Sequence, residues 1–371
     1  MKLNRIFFCA ALFFVSNSFG QFRKYSNEFL NIGAGARGLA MGGAQVASVN
    51  DAYAGYWNPA ALTFVKKNPN LAYMHANYFA GIGKYDFISL ALPTKNESKS
   101  LALTYLRFAV DDIPNTLYLV NPDGSLDYNN ISSFSSADAA VLLSYSQIIK
   151  QTKNSYFSLG GNIKIVHRKV GSFATAWGFG LDFGAIYHKD KWKFAAVLRD
   201  ATTTFNAWSF TFTDREKEVL YATKNDIPTK STELTAPRLI LGAGKEFTIN
   251  DKINLYAEAN LNLTFDGQRN ALVSSNIVNI DPNIGIEASY DKTVFLRAGV
   301  SNFQRGLSDG DTTNQKRVWI FQPSLGAGFK LEKFLMFENA HFDYAFTNLA
   351  NQSNPLYTHV FSIKLDLVKY K

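Results

Sequence analysis

The sequence predicts an all-β transmembrane barrel of 14 antiparallel strands with an N-terminal plug, or hatch, inside the lumen. Three observations lead to this fold class. The chain of 371 residues begins with a segment typical of exported proteins. Long stretches then alternate apolar and polar residues with the period of two that a β-strand requires. The long connections between these stretches all fall on one side, as the outer loops of a membrane barrel do.

The first 20 residues are predicted to be a secretory signal peptide. Lys2 and Arg5 make its start basic, and Ile6–Val15 is an apolar stretch too short to span a bilayer. The single cysteine, Cys9, lies in this stretch, so we expect the exported chain to have no disulfide, thiolate zinc site or cysteine nucleophile. Loss of the two cations lowers the formal charge from +8 to +6. Because no basic run concentrates that charge, nucleic acid is not predicted as a partner.

The period of two is clearest in Ile253–Phe265, where Leu, Ala and Phe on one face oppose Asn, Tyr and Glu on the other. Trp177–Tyr187 and Phe361–Leu367 show the same pattern. Marking every such run gives 14 candidate strands, at residues 69–80, 85–94, 99–112, 135–150, 154–171, 173–190, 192–202, 234–249, 252–266, 283–290, 293–303, 318–331, 334–349 and 355–367. Aromatic residues near strand ends are predicted to form the interfacial girdles, namely Trp177, Tyr187, Trp192, Tyr290 and Trp319. Residues 69–371 are therefore predicted to be the barrel domain.

The connections divide into two sets. Those after the even-numbered strands are tiny, whereas every long connection follows an odd-numbered strand, at Ile113–Phe134, Thr203–Glu233, Gly267–Pro282 and Gln304–Arg317. A soluble β-sandwich, the alternative class for an exported chain of this composition, has no reason to place its long loops on one side. The pattern favours a barrel in the cell outer membrane that contacts outer-membrane lipid, with short periplasmic turns and long outer loops.

A glycine-rich stretch near the N-terminus raises a different possibility. Gly33, Gly35 and Gly38 match the G-x-G-x-x-G dinucleotide fingerprint. The segment before them is too polar for a buried parallel strand, and the next acid, Asp51, comes too early. The small residues instead suit a compact hatch over residues 21–68, because a 14-strand barrel is wider than its own side chains can fill. Asn58, Pro59 and Ala60 are then expected to form the turn from the hatch to the first strand.

At these residues the chain resembles the PorV/PorQ family, relatives of the FadL-type outer-membrane proteins. The likeness is carried by residues 31–38 (NIGAGARG), 41–44 (MGGA), 49–52 (VNDA), 57–62 (WNPAAL), 73–76 (YMHA), 79–81 (FAG) and 111–116 (DDIPNT). The resemblance implies a 14-stranded barrel with a hatch that includes Arg37. PorV members act in type IX secretion, where they receive cargo proteins through C-terminal signal domains and pass them to the surface attachment complex. FadL passes long-chain fatty acids, so a channel for hydrophobic small molecules is the alternative function.

Enzyme chemistry is not predicted. The five histidines are scattered over separate strands, and no G-x-S-x-G element is present. Ser308–Asp311 lacks the later glutamate of a calcium loop. We therefore expect no catalytic residue, metal or cofactor. Polar residues on the inward face are expected to solvate the lumen and hydrogen-bond the hatch, namely Lys164, Asp182, Glu258, His341, Asp343, Lys364 and Asp366.

Two of the predicted outer loops are rich in aromatic and apolar residues. The candidate partner-binding residues are Leu117, Tyr118, Phe205, Trp208, Phe210, Phe212 and Tyr221. Aromatic side chains on a rigid rim are typical anchors for another protein. The expected partners are type IX translocon or attachment-complex proteins and secreted cargo. Alternatively, the two loops fold over the barrel mouth and bury these groups on each other.

Overall fold

The computed structural model describes residues 25–95, 97–121, 123–227, 230–307, 317–349 and 356–368. The predicted signal peptide, the first four residues of the predicted hatch and Ser308–Asp311 lie outside these ranges. Among the described residues, no helix is long and apolar enough to cross a membrane, a finding that does not bear on β-barrels.

Fourteen strands close into an antiparallel barrel, as the sequence predicts. The 16 strands of the sheet are β1 Asn70–Tyr78, β2 Gly83–Pro93, β3 Lys99–Asn115, β4 Ser132–Gln151, β5 Ser155–Val170, β6 Ala174–Lys189, β7 Trp192–Arg199, β8 Thr204–Phe210, β9 Lys230–Thr235, β10 Arg238–Thr248, β11 Ile253–Thr264, β12 Asn279–Tyr290, β13 Val294–Leu307, β14 Arg317–Glu332, β15 Phe337–Leu349 and β16 Leu356–Leu367. Neighbours along the chain pair from β1 to β7 and from β10 to β16, β7 pairs with β10, and β1 pairs with β16 to close the ring.

The other two strands, β8 and β9, form a hairpin that continues β7 and β10 towards the outer side. β8 pairs with the outer half of β6 and with β9. Between the strands, residues 211–229 include the helix Asp214–Ala222, whose start carries a capping box between Thr213 and Glu216. The expectation that Thr203–Glu233 is a loop is therefore wrong. Trp208 and Phe210 alternate because they lie in strand β8, and Phe212 follows the end of that strand.

The two faces of the wall follow the predicted phase. In β11, Tyr256, Glu258 and Asn260 are buried towards the lumen, whereas Ala259 and Leu261 are exposed on the outside. The outward residues of the barrel are mostly large and apolar, so this face contacts lipid. The girdle aromatics, including Trp177 and Tyr290, are exposed at the strand ends.

The N-terminal segment, residues 25–68, packs against the inward face of the wall. It consists of short helical turns at Glu28–Asn31, Ala36–Ala40, Ala54–Trp57 and Pro59–Phe64, and most of its residues are buried. Glycines in the wall permit the close approach. A Cβ atom added to Gly160 of β5 would lie 2.6 Å from the amide nitrogen of Ala60, and one added to Gly299 of β13 would collide with the backbone of Met41.

Candidate functional site

A cavity of about 510 Å³ lies between the N-terminal segment and strands β10 to β15. One part of its lining is apolar or aromatic, formed by Ile32, Leu39, Tyr56, Trp57, Tyr78, Phe79 and Ile240. The remaining part is polar, with amide side chains that include Asn262, Asn279, Asn283, Gln304 and Gln322. The cavity therefore has an amphipathic lining.

Three arginines line the same cavity. Arg269 forms an ion pair with Glu28 at 3.2 Å and with Asp266 at 2.5 Å. Arg238 approaches only Glu28, at 3.7 Å, among the described residues. Arg199 donates to the backbone carbonyls of Leu30 at 3.2 Å and Tyr56 at 3.0 Å and stacks on the Tyr56 ring. Glu28 is thus shared by two guanidinium groups, and a further carboxylate, that of Asp281, also lines the cavity.

The loop after β11 places Arg269 at the cavity. Partial burial of Asp266 acts to raise its pKa, but the hydrogen bonds and charge of Arg269 outweigh this and hold the pKa below its ordinary value. Arg269 reaches Asp266 from three residues away and Glu28 from the other side. The loop, the N-terminal segment and the cavity are therefore linked through one side chain.

The N-terminal segment is fixed to the wall by a chain of buried charges. Arg37 donates to both carboxylate oxygens of Glu287, at 2.8 and 3.0 Å. Arg297 donates to the same Glu287 at 2.6 Å and to Asp343 at 2.6 Å. Glu287 therefore joins an arginine of the segment to an arginine of the wall. Arg37, which is expected to belong to a packed N-terminal element, has this carboxylate as its specific partner.

Other predicted lumen residues also hold the segment. Glu258 accepts from the Ala47 amide at 2.9 Å, and Lys364 pairs with Asp51 at 3.1 Å. Lys164 instead pairs within the wall, with Asp182 at 2.9 Å. The His341 ring faces Phe295 at 6.3 Å between ring centres, and Asp343 turns to Arg297, so the two do not act as a pair.

The glycine-rich stretch bends back on itself. Gly33 and Gly35 adopt φ values of 101° and 82°, which non-glycine residues rarely adopt. The Gly33 amide donates to the Tyr56 hydroxyl at 2.9 Å. Gly38 lies against Gln45 and Trp57, where a side chain would collide. The stretch is thus a packing element, not a phosphate-binding loop.

Asn58 caps the short helical turn Pro59–Phe64, which includes Pro59 and Ala60 and precedes β1 by five residues. The Asn58 side chain accepts from the Ala60 amide at 3.1 Å and donates to the Val46 carbonyl at 3.0 Å. It also donates to the Ala185 carbonyl of β6 at 3.2 Å. The asparagine therefore ties the turn both to the segment and to the wall.

The wall is interrupted where β7 passes into β8. Asp200 and Thr203 have positive φ values, and Pro237 between β9 and β10 cannot donate to the strand ladder. Two residues of the N-terminal segment cover this break. Ser26 and Asn27 each hydrogen-bond the Thr235 hydroxyl at 2.8 Å, and Asn206 of β8 donates to Asn27 at 3.0 Å.

The predicted partner-binding residues do not form one exposed surface. Trp208 points to the barrel mouth, where it donates to Glu233 at 2.9 Å and stacks under Arg168. Phe210 stacks on Trp208, and Phe212 on Phe173. Phe205 lies on the outward face of β8. These residues mainly line the wall or the mouth.

The two outer segments that carry the remaining candidates contact each other. The Tyr118 hydroxyl donates to Glu216 at 3.2 Å, and the Arg215 guanidinium lies 5.6 Å from the Tyr118 ring centre. Leu117 is half-buried beside Tyr118. Tyr221 alone of the seven remains largely free, with 70% of its surface exposed. Part of the set therefore packs across the mouth, as the alternative interpretation expects.

Sequence reasoning missed the arginine cluster and Glu28. Arg199 and Arg238 fall inside two predicted strands, and the inward phase of Val197 and Ile240 marks both arginines as lumen-facing. That signal was present in the sequence. Their convergence was not, because it requires the register in which Arg199 lies opposite Arg238. Among the described residues, no group of His, Cys, Asp and Glu is arranged to hold a metal ion.

The fold is similar to that of two toluene transporters and a monoaromatic hydrocarbon channel. The toluene transporter TodX of Pseudomonas putida aligns over 91% of this chain and 98% of its own, with 13% identity and a TM-score of 0.54. The toluene transporter TbuX of Ralstonia pickettii covers 90% and 98%, with 12% identity and a TM-score of 0.53. The CymD monoaromatic hydrocarbon channel covers 92% and 98%, with 14% identity and a TM-score of 0.53.

At these identities the likeness establishes the fold and not the substrate. No protein-family model and no curated protein sequence matches the chain. The chain therefore has a barrel fold similar to that of these three proteins.

Proposed function

We propose that the chain is an outer-membrane channel for small amphipathic molecules that have an apolar body and an anionic head, such as fatty acids. The observation that carries the proposal is the cavity in which an aromatic wall stands beside three arginines. The signal peptide of residues 1–20, the hatch of residues 21–68 and the barrel of residues 69–371 are part of this proposal.

The size and lining of the cavity suit such a ligand. Its volume, about 510 Å³, lies within the range of small-molecule sites. Trp57, Tyr78 and Phe79 offer flat apolar surface for an acyl or ring group. A ligand that is apolar throughout would leave the amide and arginine side unpaired, and unpaired buried polar groups cost free energy.

The arginines supply the other half of the recognition. Arg238 has one distant carboxylate, at 3.7 Å, and therefore has donors to spare. A ligand carboxylate would accept charge-assisted hydrogen bonds from it and from Arg269. The incoming carboxylate has the same charge as Glu28 and would therefore replace it beside one of the two arginines. Glu28 would then keep one arginine partner.

The interruption of the wall between β7 and β8 offers a ligand a route between the cavity and the wall. Asp200, Pro237 and Arg238 line a small void there, together with Ser26 and Glu28. The only side-chain bonds that tie Ser26 and Asn27 to β8 and β9 in the described structure are neutral hydrogen bonds to Thr235 and Asn206. Neutral bonds of this kind contribute about 0.5–1.5 kcal/mol each, so displacement of these two residues by a ligand is affordable in free energy.

Binding of decanoate and of decanol to the purified, refolded barrel tests the proposal. We expect decanoate to bind about tenfold more tightly than decanol, and Arg238→Gln to remove that preference while decanol affinity is kept. Arg168→Gln is the matched control, because Arg168 is an inward arginine at the mouth paired with Asp138 and Glu233. Failure of both ligands to bind, or a preference that survives Arg238→Gln, would overturn the proposal.

The role in type IX secretion remains the second candidate. The resemblance to PorV/PorQ chains supports it, and so do two exposed aromatic residues of the outer segments, Tyr128 (68% exposed) and Tyr221 (70% exposed). Tyr221→Ala and Tyr128→Ala should then lower capture of a secreted cargo domain by solubilised barrel. Phe205→Ala, on the outward face of β8, serves as the control, and equal capture by all variants would remove this candidate.

A further inference from the structure

One sector of the outer wall, formed by β16, β1, β2 and β3, carries polar side chains where lipid contact requires apolar ones. In β1, Ala72, Met74 and Ala76 are buried towards the inside, so Tyr73, His75 and Asn77 point outwards. His75 Nδ1 lies 2.7 Å from Asp86 Oδ1 of β2, and both side chains are more than a third exposed. We call His75, Asn77, Asp86, Arg107 and His359 the polar wall sector.

Arg107 is the critical member of the sector. It lies opposite Asp86 in the register of β2 and β3. No hydrogen bond or ion pair joins its guanidinium to another residue in the described part of the chain. One row further out, Asn77 lies opposite Lys84 on one side and His359 on the other, and Lys84 is paired with Asp111 at 2.8 Å. The guanidinium of Arg107 is therefore a cation on the outer wall without a carboxylate of its own.

These residues lie within the height of the membrane. His75 is five residues from the short-turn end of β1, Asp86 seven residues from that of β2, and Arg107 eight residues from that of β3. A strand tilted by roughly 40° gains about 2.6 Å of height per residue. The three side chains then lie about 13–21 Å above the short-turn end, inside an apolar band about 25 Å tall.

Equivalent positions elsewhere on the wall are apolar. Counted in the same way, six or seven residues from the short-turn end, the outward residues are Ala259 in β11, Ile284 in β12, Leu325 in β14 and Leu241 in β10. Leu325, Ile284 and Leu241 are 59%, 47% and 40% exposed. Polar outward residues at this height are thus a feature of one sector of the wall and not of the other strands compared.

We propose that the polar wall sector is the interface with a second copy of this chain in the membrane. An arginine exposed to lipid costs on the order of 2–4 kcal/mol at the midplane of a barrel and less towards the interfaces, and a paired interface removes this cost. The sector carries both signs of charge, so it is self-complementary. A two-fold axis between two copies sets Arg107 of each against Asp86 of the other. Tyr73, Tyr105 and Phe361, which surround the charges and are exposed, provide the aromatic contact area typical of interfaces.

Cross-linking in intact outer membranes tests for the second copy. The exported chain has no cysteine, so Asn77→Cys gives a single thiol at the edge of the sector, and Leu325→Cys gives one at similar height on the apolar wall. With a short bismaleimide, Asn77→Cys should yield a product of twice the chain mass and Leu325→Cys should not. Heat-modifiable migration shows that each variant is folded. Equal yields from the two variants, monomer only, or an adduct with a different protein would overturn the proposal.

Charge reversal tests the pairing itself, in the Asn77→Cys background. Arg107→Asp alone, and Asp86→Arg alone, should each lower the dimer yield about tenfold, because each sets like charges against one another across the axis. Co-expression of the two variants should restore the dimer, since opposite charges meet again in the mixed pair. Yields that do not respond to either reversal, or that are not restored on mixing, would show that Arg107 and Asp86 do not pair between copies.

Discussion

Removal of the Glu287 carboxylate is expected to release the N-terminal segment from the wall. Glu287 stands between Arg37 of the segment and Arg297 of the wall, with contacts of 2.8 and 2.6 Å. All three side chains are shielded, with exposed fractions of 16%, 12% and 3% for Arg37, Glu287 and Arg297. Glu287→Ala would leave Arg297 paired with Asp343, and it would remove the ion pair of Arg37, whose remaining hydrogen bonds go to Ser48.

The size of the effect follows from the burial of the pair. Removing one partner of a buried ion pair costs about 3–5 kcal/mol, because the other charge is left without compensation. Applied to opening of the segment alone, this free energy raises the population of the open state by roughly 10²- to 10⁴-fold. Arg37→Ala should have a smaller effect, since Glu287 keeps Arg297 as its partner.

Trypsin provides the assay, because Arg37 is itself a cleavage site within the segment. When opening and closing are fast relative to cleavage, the rate of cleavage follows the open population. We expect wild-type barrel in detergent to resist cleavage after Arg37, and Glu287→Ala to be cut at least about 100-fold faster. Edman sequencing or mass spectrometry identifies the cut.

The control is Ser289→Ala, two residues along the same strand on the same inward face. Its hydroxyl makes only a 3.5 Å contact with the Asn254 carbonyl, so its removal should leave the rate of cleavage unchanged. Equal rates for Glu287→Ala and Ser289→Ala, or prompt cleavage of the wild-type chain, would refute the reasoning that this carboxylate anchors the segment.

Three further outcomes are expected. Gly160→Ala should destabilise the barrel by about 1–3 kcal/mol, since its Cβ would lie 2.6 Å from the Ala60 amide. In Gly161→Ala, on the outward face, the added Cβ would lie 3.2 Å from its nearest neighbour, and the change should be nearly neutral in thermal unfolding. Ala259→Arg on the lipid face should reduce the yield of heat-modifiable barrel by a cost on the order of 2–4 kcal/mol, and Asn262→Arg, which faces the cavity, should insert normally. Asp266→Asn should lower the melting temperature at pH 7, and this difference from wild type should vanish on acidification. A carboxylate whose pKa is lowered in the folded protein stabilises it at neutral pH. It loses this contribution as the pH falls below the ordinary pKa near 3.9 and through the lowered pKa.

The sequence was sufficient for the barrel because strands report their environment at every second residue. Leu261 and Asn262, side by side in β11, have opposite surroundings that their chemistry already indicates. Asn260 is inward as predicted, but it is tightly packed and donates to the Gly43 carbonyl at 3.1 Å, so an arginine there would not be well tolerated.

The candidate site was less predictable because it depends on register and on contacts far apart along the chain. Arg238 and Glu28 are separated by more than 200 residues, and nothing local marks either as part of a cavity. The β8–β9 hairpin was missed for another reason. Its strands are short, at seven and six residues, and the helix between them interrupts the alternation on which strand prediction relies.

The N-terminal segment can complete its bonds to the wall only when the last strand of the barrel is in place. Its first neighbours in the wall lie on both sides of the seam between β1 and β16. The Ala36 amide donates to Ser362, Asp51 pairs with Lys364, and the Ala52 amide donates to Asn70. Asn70 in turn donates to Asp366 across the seam at 2.6 Å. The part of the chain that is synthesised first thus waits for the part that is synthesised last, because loop closure over some 300 residues precedes the bonds to Ser362, Lys364 and Asp366. Until the ring closes, the segment and the edges of β1 and β16 are all unsatisfied, so the chain depends on protection in transit from the translocation site to the membrane.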